Sequence, residues 1–579
     1  MKLLAMLVLL AGCGLLLMSR EPAAPGRVEF RDVAEKAGVH SLVIAGGAQK
    51  NYVLEVNGSG ACWFDYNNDG YTDLYLVNGS TLEALAGKKP RPVSNHLYRN
   101  NGDGTFADVT EAAHVSGAGW GFGCVAADYD NDGKTDLLVT NFGPNILYHN
   151  NGDGSFTDVA ARAGIGGGNI WHTGAAFGDY DHDGYVDLYV AGYLDFDVKN
   201  PALKTCDYRG VKVHACGPLG YGGAPDALYH NNRDGTFTEV TEKAHVEDRN
   251  RYFGFTVIFD DFDDDGLPDI FVANDSNPNY LYRNKGDGTF EEVGVSSGVA
   301  YNSDGKEMSS MGVAAGDYDN DGRTDLFVTT FANDNYVLYH NDGKGAFSDL
   351  SYQSGVGERT IPYLGWAAFF LDYDNDGWKD LFNANGHVYP EMGDRSKESY
   401  REPLQMFHNL HNGKFAEVSG EVGLRALPLR SARGAAYCDY DNDGDVDILV
   451  SNIDERPQLL ENTGGNGSQW LEMRLVGTAS NRDAVGAKVK ITAGDLRQYD
   501  HVRAGGSYIS GSDLRLHFGL GNRTAVDSVE VDWPSGKKER FSNLKANQIL
   551  TIREGSGLVP SVYKSSKKRN QYKSPKTGY

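Results

Sequence analysis

Seven times along the chain an acidic nonapeptide recurs, with carboxylates at positions 1, 3, 5 and 9, apart from Asn67 in the first copy, and glycine at position 6. The copies are "DYNNDGYTD" from Asp65, "DYDNDGKTD" from Asp128, "DYDHDGYVD" from Asp179, "DFDDDGLPD" from Asp261, "DYDNDGRTD" from Asp317, "DYDNDGWKD" from Asp372 and "DYDNDGDVD" from Asp439. Their oxygen-bearing side chains are Asp65, Asn67, Asp69 and Asp73; Asp128, Asp130, Asp132 and Asp136; Asp179, Asp181, Asp183 and Asp187; Asp261, Asp263, Asp265 and Asp269; Asp317, Asp319, Asp321 and Asp325; Asp372, Asp374, Asp376 and Asp380; and Asp439, Asp441, Asp443 and Asp447. At position 7, Tyr71, Lys134, Tyr185, Leu267, Arg323, Trp378 and Asp445 would each offer a main-chain carbonyl. Oxygen-only donors suit a hard cation, and a flexible cage of carboxylates and a carbonyl suits calcium better than magnesium. Without a cation, three or four carboxylates this close would raise one another's pKa and push the loop apart. About seven structural Ca²⁺ sites are expected, the first weakened by Asn67.

The elements that must hold these loops are short strands. After each loop comes an apolar run such as "LLVTN", and after most copies a second signature follows: "LYRNNGDGTF" from Leu97, "LYHNNGDGSF" from Leu147, "LYHNNRDGTF" from Leu228, "LYRNKGDGTF" from Leu281, "LYHNDGKGAF" from Leu338 and "MFHNLHNGKF" from Met406. Strand formers flanking an Asn/Gly/Asp cluster predict a β-hairpin. Its second strand carries a third signature, from "FADVT" at Phe106 to "FAEVS" at Phe415. Each unit is thus four strands, a propeller blade, with apolar strands buried between neighbours. A stray third signature, "FRDVA" at Phe30, precedes the first loop, and "LLENTGGNG" from Leu459 lacks its second strand. Joined, they complete a seventh blade and remove two free sheet edges. The expected fold is all-β: a seven-bladed β-propeller with calcium loops, followed by a small β-sandwich.

Composition narrows the function. A net charge of -25, from 79 acidic against 54 basic residues in 579, would repel nucleic-acid phosphates. Seven divalent ions would offset more than half of that charge. The N-terminal "MKLLAMLVLLAGCGLLLMSREPAAPG" has an apolar run too short to span a bilayer comfortably, so an export signal is expected. Within it, "LAGC" resembles the lipobox of bacterial lipoproteins, with Cys13 the lipidated residue; a cleaved signal and a short retained anchor are the alternatives. Each places the rest outside the cytoplasm, with membrane contact only through that anchor. There Cys206 and Cys216, ten apart in "CDYRGVKVHAC", would form a disulfide in preference to a zinc site with His214. Cys62, Cys124 and Cys438, in apolar runs, read as small buried residues.

The repeats resemble the FG-GAP/VCBS repeats of integrin-type propellers, and the segment from Ser480 to Gly555, with "GAKV", "HFGLG" and "DWPSG", resembles an ASPIC/UnbV domain. Together they resemble the cartilage acidic protein 1-like family over nearly all the chain after the signal. The resemblance implies Ca²⁺ at the loop positions named above and no known catalytic activity. The expected layout is a signal and tether over 1–26, the propeller over 27–466, the ASPIC/UnbV sandwich over 467–555 and a basic disordered tail over 556–579.

Two functions follow. In the first, the protein is an extracytoplasmic calcium-binding scaffold or adhesion module whose propeller face meets an extracellular protein or glycan. Residues just ahead of the inner strands, Trp120, Trp171, His172, Phe253, Trp366 and Arg433, would rim a central funnel, where exposed aromatics suit sugar stacking and buried ones suit packing between blades. In the second, a carbohydrate-active enzyme of lyase or dehydratase type uses that face, with His172, Glu55 and His387 as scattered acid/base candidates. No GxSxG, HExxH or P-loop motif is present.

Overall fold

The computed structural model of the protein describes residues 28–393, 399–464 and 467–565. The export segment with Cys13 and the tail beyond residue 565 lie outside the described residues. Among those described, no helix is long and apolar enough to cross a membrane.

Seven antiparallel sheets are each built on four strands in up-and-down order, the fourth sheet carrying one extra short strand. Their first strands are Ala61–Phe64, Trp120–Ala127, His172–Gly178, Gly254–Asp260, Val313–Gly316, Gly365–Leu371 and Ala432–Cys438. Each packs on the first strand of the next sheet, and the last packs back on Ala61–Phe64, so the sheets form a closed propeller. The seventh sheet is composite. Phe30–Asp32 pairs with Gln458–Asn462 in the register Phe30 to Asn462, which joins the two ends of the repeat array. Strands are apolar on both faces because clusters form between sheets. Cys62, Phe64, Tyr75 and Leu97 of the first sheet, for instance, pack against Ala126, Leu137 and Val139 of the second.

Two side-chain contacts recur at every junction between sheets. The Asn of each hairpin signature donates through Nδ2 to the position-2 carbonyl of the preceding sheet's acidic loop: Asn150 to Tyr66, Asn231 to Tyr129, Asn284 to Tyr180, Asn341 to Phe262, Asn409 to Tyr318, Asn462 to Tyr373 and Asn100 to Tyr440, all at 2.7–2.9 Å. The position-2 ring then packs against the Phe of the third signature in the following sheet, from Tyr66 on Phe156 at 6.0 Å round to Tyr440 on Phe106 at 5.6 Å. Phe30 takes that role against Tyr373, at 6.3 Å, so the N-terminal strand supplies the missing member of the set.

Residues 469–559 form two further four-stranded sheets, one ordered Leu516–Gly521, Gln469–Val476, Ile549–Arg553 and Gly557–Val559, the other Leu496–His501, Lys488–Ala493, Ala525–Asp532 and Lys538–Lys545. This sandwich is not merely appended. Its core residues Leu471, Met473, Val489 and Val529 belong to one apolar cluster with Val125, Leu138 and Leu188 of the propeller. The tail expected from Ser556 also begins with order: Gly557–Val559 pairs with Ile549–Arg553, and Tyr563 lies beside Arg515, whose guanidinium is 5.1 Å from its ring. Backbone pairing and a cation–π contact outweigh the basic composition there.

The cysteines require one correction. Cys62 and Cys124, on the first strands of adjacent sheets, are joined in a disulfide instead of standing as separate buried thiols. Both lie on facing strands, a proximity that their separation of 62 residues conceals. Cys206 and Cys216 are also disulfide-bonded, closing a hairpin of Cys206–Tyr208 with Val211–Val213 that is inserted into the third sheet. Cys438 is a buried free thiol.

Candidate functional site

Each acidic loop joins the first strand of a sheet to the second and is coiled on itself by its own carboxylates. In the second loop Asp128 accepts from the main-chain N–H of Asp132 at 3.0 Å and of Gly133 at 2.7 Å, and Asp132 accepts from Lys134 N at 2.9 Å. The other loops repeat this pattern, as at Asp317 and Asp439. The turn needs left-handed backbone at position 4 and again at position 6, where φ runs from 88° to 99° and glycine is always present. Position 9 serves a separate purpose. Asp136 accepts from Tyr129 N and Asn150 N at 3.3 and 2.8 Å, clamping the loop to the hairpin, and its six counterparts accept the same hairpin N–H.

The coiling brings oxygens together. Ligand atoms of Asp128, Asp130 and Asp132 lie within 4.8 Å of one another. Burial, then neighbouring carboxylates, push Asp179 up to about 8, and the same causes push Asp441 up to about 7. Asp65 rises to about 6, chiefly through burial, and Asp269 to about 8. Carboxylates held this far from their ordinary range are stabilised in their charged form by a cation, so the donor set and its electrostatics fit a bound metal ion. Several of these groups can therefore bind metal. In the first loop Asn67 turns its Nδ2 toward Asp69, 2.9 Å from Oδ2, a contact between donor and acceptor that a cation would have to displace.

A residue that the motif does not contain also reaches the loops. The third position of the hairpin signature is His149, His230, His340 and His408 in the second, third, fifth and sixth sheets. Each imidazole lies within 3.1–3.3 Å of the position-9 carboxylate and within 3.3–3.7 Å of the position-3 carboxylate. In the first and fourth sheets this position is Arg99 and Arg283, and in the seventh it is Glu461. The variation is visible in "LYHN", "LYRN" and "LLEN"; that it faces the acidic loop follows only from hairpin register.

The same loops form the seat of the C-terminal sandwich. Arg515 donates to Asn442 Oδ1 and to the Asp439 carbonyl, both at 2.7 Å. His517 meets Asn375 Oδ1 at 2.6 Å, Lys379 pairs with Asp500 at 2.6 Å, and Arg482 N donates to Asn131 Oδ1 at 2.7 Å. Arg503 and His501 both pair with Asp260, just before the fourth loop; although burial acts to raise its pKa, the contacts from Arg503 and His501 hold that carboxyl far below its usual range. From this seat, residues 504–511 enter the propeller's axis. Ile509 accepts from Cys124 N, Gly511 accepts from Trp63 N, Ser507 pairs with Val313, and Tyr508 reaches Trp366 and Phe255 at 4.7 and 5.4 Å.

This plug fills the funnel, and of the two readings of the six rim residues, stacking on sugar and packing between blades, their burial fits the second. Trp120, Trp171, His172, Phe253, Trp366 and Arg433 are all buried, none more than 6% exposed. Trp171 packs on Tyr193 and Phe122, and Arg433 spends its guanidinium on the carbonyls of Val56, Gly386 and Ala432 while lying 4.3 Å from the Trp366 ring. The acid/base candidates do not gather at an open surface either. Burial holds His172 down to about 4 and His387 to about 3, and Glu55 accepts from the main-chain N–H groups of Gly47, Asn51 and Tyr52. These are groups that hold structure together.

Comparison with known proteins agrees with the repeat and the sandwich. Residues 65–139, 128–190, 261–328 and 317–382 match the FG-GAP-like repeat, and residues 477–559 match ASPIC and UnbV. The chain is an FG-GAP-repeat protein with a C-terminal ASPIC/UnbV domain. It is related to cartilage acidic protein 1, being 29% identical to the Xenopus tropicalis protein over 294 residues and 29% identical to the Homo sapiens protein over 296. In each case the match takes in 49% of this chain and 42% of the relative, so the FG-GAP protein spans less than half the length of those relatives. Among solved structures, an Agrocybe aegerita lectin specific for non-reducing terminal N-acetylglucosamine aligns with 74% of the chain and 99% of its own length at 14% identity and a TM-score of 0.37. The exotype rhamnogalacturonan lyase YesX aligns with 75% of this chain and 76% of its own, at 13% identity and a TM-score of 0.36.

Proposed function

We propose that this FG-GAP protein is an extracytoplasmic scaffold, stiffened by calcium at its seven acidic loops, that presents a rigid propeller to an extracellular protein or glycan. The observation that carries this reading is the convergence of carboxylates, some of them buried and raised by their neighbours, in several of the loops, at a face that also seats the C-terminal domain. Calcium is favoured over magnesium by a cage of several carboxylates with a main-chain carbonyl. The first loop, with Asn67 and the adjoining Arg99, is the weakest site. Two disulfides suit an oxidising compartment. Because the sandwich sits on the acidic end of the ring, the opposite end and the outer edges are the larger surfaces left for a partner.

The test has two parts. Excess chelator should lower the melting temperature by several degrees, and calcium should restore it more effectively than magnesium, because a ligand bound only to the folded state stabilises it. An unchanged melting curve would remove the metal from the account. A glycan and matrix-protein array then separates binding from chemistry: retention of unaltered probe supports the scaffold, whereas new unsaturated sugar ends absorbing in the ultraviolet support a lyase.

A further inference from the structure

At the end of the ring remote from the acidic loops, the disulfide-closed hairpin of the third sheet roofs a cavity of about 310 Å³. Its walls include Tyr193, Phe255, Phe331, Trp366 and Tyr389, and exposed Leu219 stands at its rim. Into this aromatic enclosure projects one carboxylate, Asp275, only 8% exposed. Tyr193 donates to its Oδ2 at 2.8 Å and Ser276 to its Oδ1 at 2.9 Å, while Ser309 lies 2.9 Å from the Ser276 hydroxyl. Among the described residues no lysine, arginine or histidine forms an ion pair with it.

The local chain is built to place this group. The strand Asp269–Asn277 is the longest in the propeller, running past its hairpin partner to pair with the extra strand Met308–Ser309. The register slips between Asp275 and Asn277, and Ser276 takes a left-handed backbone with φ of 57°. A bulge of this kind re-aims a side chain, and left-handed backbone at a non-glycine residue persists only where surrounding structure enforces it.

We propose that this cavity binds an organic ammonium ion, with Asp275 as its counter-charge and the aromatic walls as its cage. The hydroxyls of Tyr193, Ser276 and Ser309 take up most of the four lone-pair directions of the carboxylate, leaving one for a ligand. A buried carboxylate is costly without an opposite charge, and aromatic faces attract a cation without the desolvation that polar groups would require. The cavity has room for a small organic cation of the size of choline. The site is separate from the acidic loops and stands or falls independently of calcium.

The probe is choline, set against its neutral isostere 3,3-dimethylbutan-1-ol, titrated into the calcium-loaded full chain and followed by calorimetry and by tryptophan fluorescence, since Trp366 lines the cavity. Choline should bind at least tenfold more tightly than the isostere. Asp275→Asn, which keeps the shape, should cost choline tenfold or more and leave the isostere unaffected. Equal affinities for the two probes on the unmodified protein would overturn the proposal whatever the variant does, and so would full retention of choline by the variant. Failure of choline, tetramethylammonium and benzyltrimethylammonium to bind at about 10 mM, where even a weak site registers, would overturn it as well.

Discussion

At the scale of single residues, the propeller is held by asparagines whose work lies in a neighbouring repeat. Asn284 shows the arrangement. Its Nδ2 donates to the Tyr180 carbonyl at 2.8 Å and to the Pro268 carbonyl at 3.0 Å, its Oδ1 accepts from Gly286 N at 2.9 Å, and the residue is 2% exposed. Truncation leaves the buried Tyr180 carbonyl and the partly buried Pro268 carbonyl without this donor, at about 1–3 kcal/mol for each group stranded away from water. Asn284→Ala is therefore expected to destabilise the protein by about 3 kcal/mol, whereas Asn101→Ala, at an exposed hairpin turn, should change stability by less than about 0.5 kcal/mol. Denaturant titration of the two variants checks this, and equal midpoints would refute the role given to the buried set. That asparagine is plain in "LYRN" and "LYHN", as is the aromatic at position 2 of each acidic loop. Their meeting is not, because donor and acceptor stand 84 residues apart at Asn150 and Tyr66 and 340 apart at Asn100 and Tyr440.

At the scale of elements, the loops bring a pH dependence whose sign depends on the cation. Burial and like charge raise Asp128 and Asp179 to about 8, and Asp136, Asp187 and Asp261 to about 7, against an ordinary value near 4. The metal-free folded state thus binds more protons than the unfolded chain over this interval, so stability is lost as pH rises through the folded values. His340, raised to about 9 by its bond to Asp325, adds the same sign. Buried His172 and His387, lowered to about 4 and 3, act oppositely, but only below their unfolded value near 6.5. Between pH 6.5 and 8 the loops dominate. In chelator the melting temperature should fall across that range by about 3 °C or more, and saturating calcium should abolish the fall by holding the carboxylates ionised. A flat or rising curve in chelator would show that the loop carboxylates are not strained toward neutrality. Loops and strands were legible because they repeat with fixed spacing and because their apolar runs fit four-stranded units. The Cys62–Cys124 bond was not, since it depends on which face of two first strands the sulfurs share.

At the scale of the whole molecule, the C-terminal sandwich supplies the axis of the propeller. The Gly-rich "RAGGSYISGSD" reads as a turn in sequence, yet it threads the ring because glycine permits the close approach required there: a Cβ on Gly505 would stand 2.7 Å from that of Ala176, and Gly511 lies against Cys62. Local composition could not reveal the ring that receives it, although packing between blades is already the better reading of each rim residue. Tyr508 ends the insertion, fully buried between Trp366 and Phe255, with its hydroxyl 3.2 Å from the Asn57 carbonyl. Removing its ring leaves a void that a rigid ring of sheets cannot collapse to fill, so Tyr508→Ala should cost about 3–5 kcal/mol, the range for truncating a large buried aromatic. Since the sandwich core is continuous with the core between the second and third sheets, that loss should be felt by both parts at once. The calcium-loaded protein should accordingly unfold in one calorimetric transition, and Tyr508→Ala should lower that transition without splitting it. Two separated transitions in the unmodified protein, or a variant in which the sandwich melts first while the propeller keeps its original midpoint, would mean that the insertion occupies the ring without supporting it.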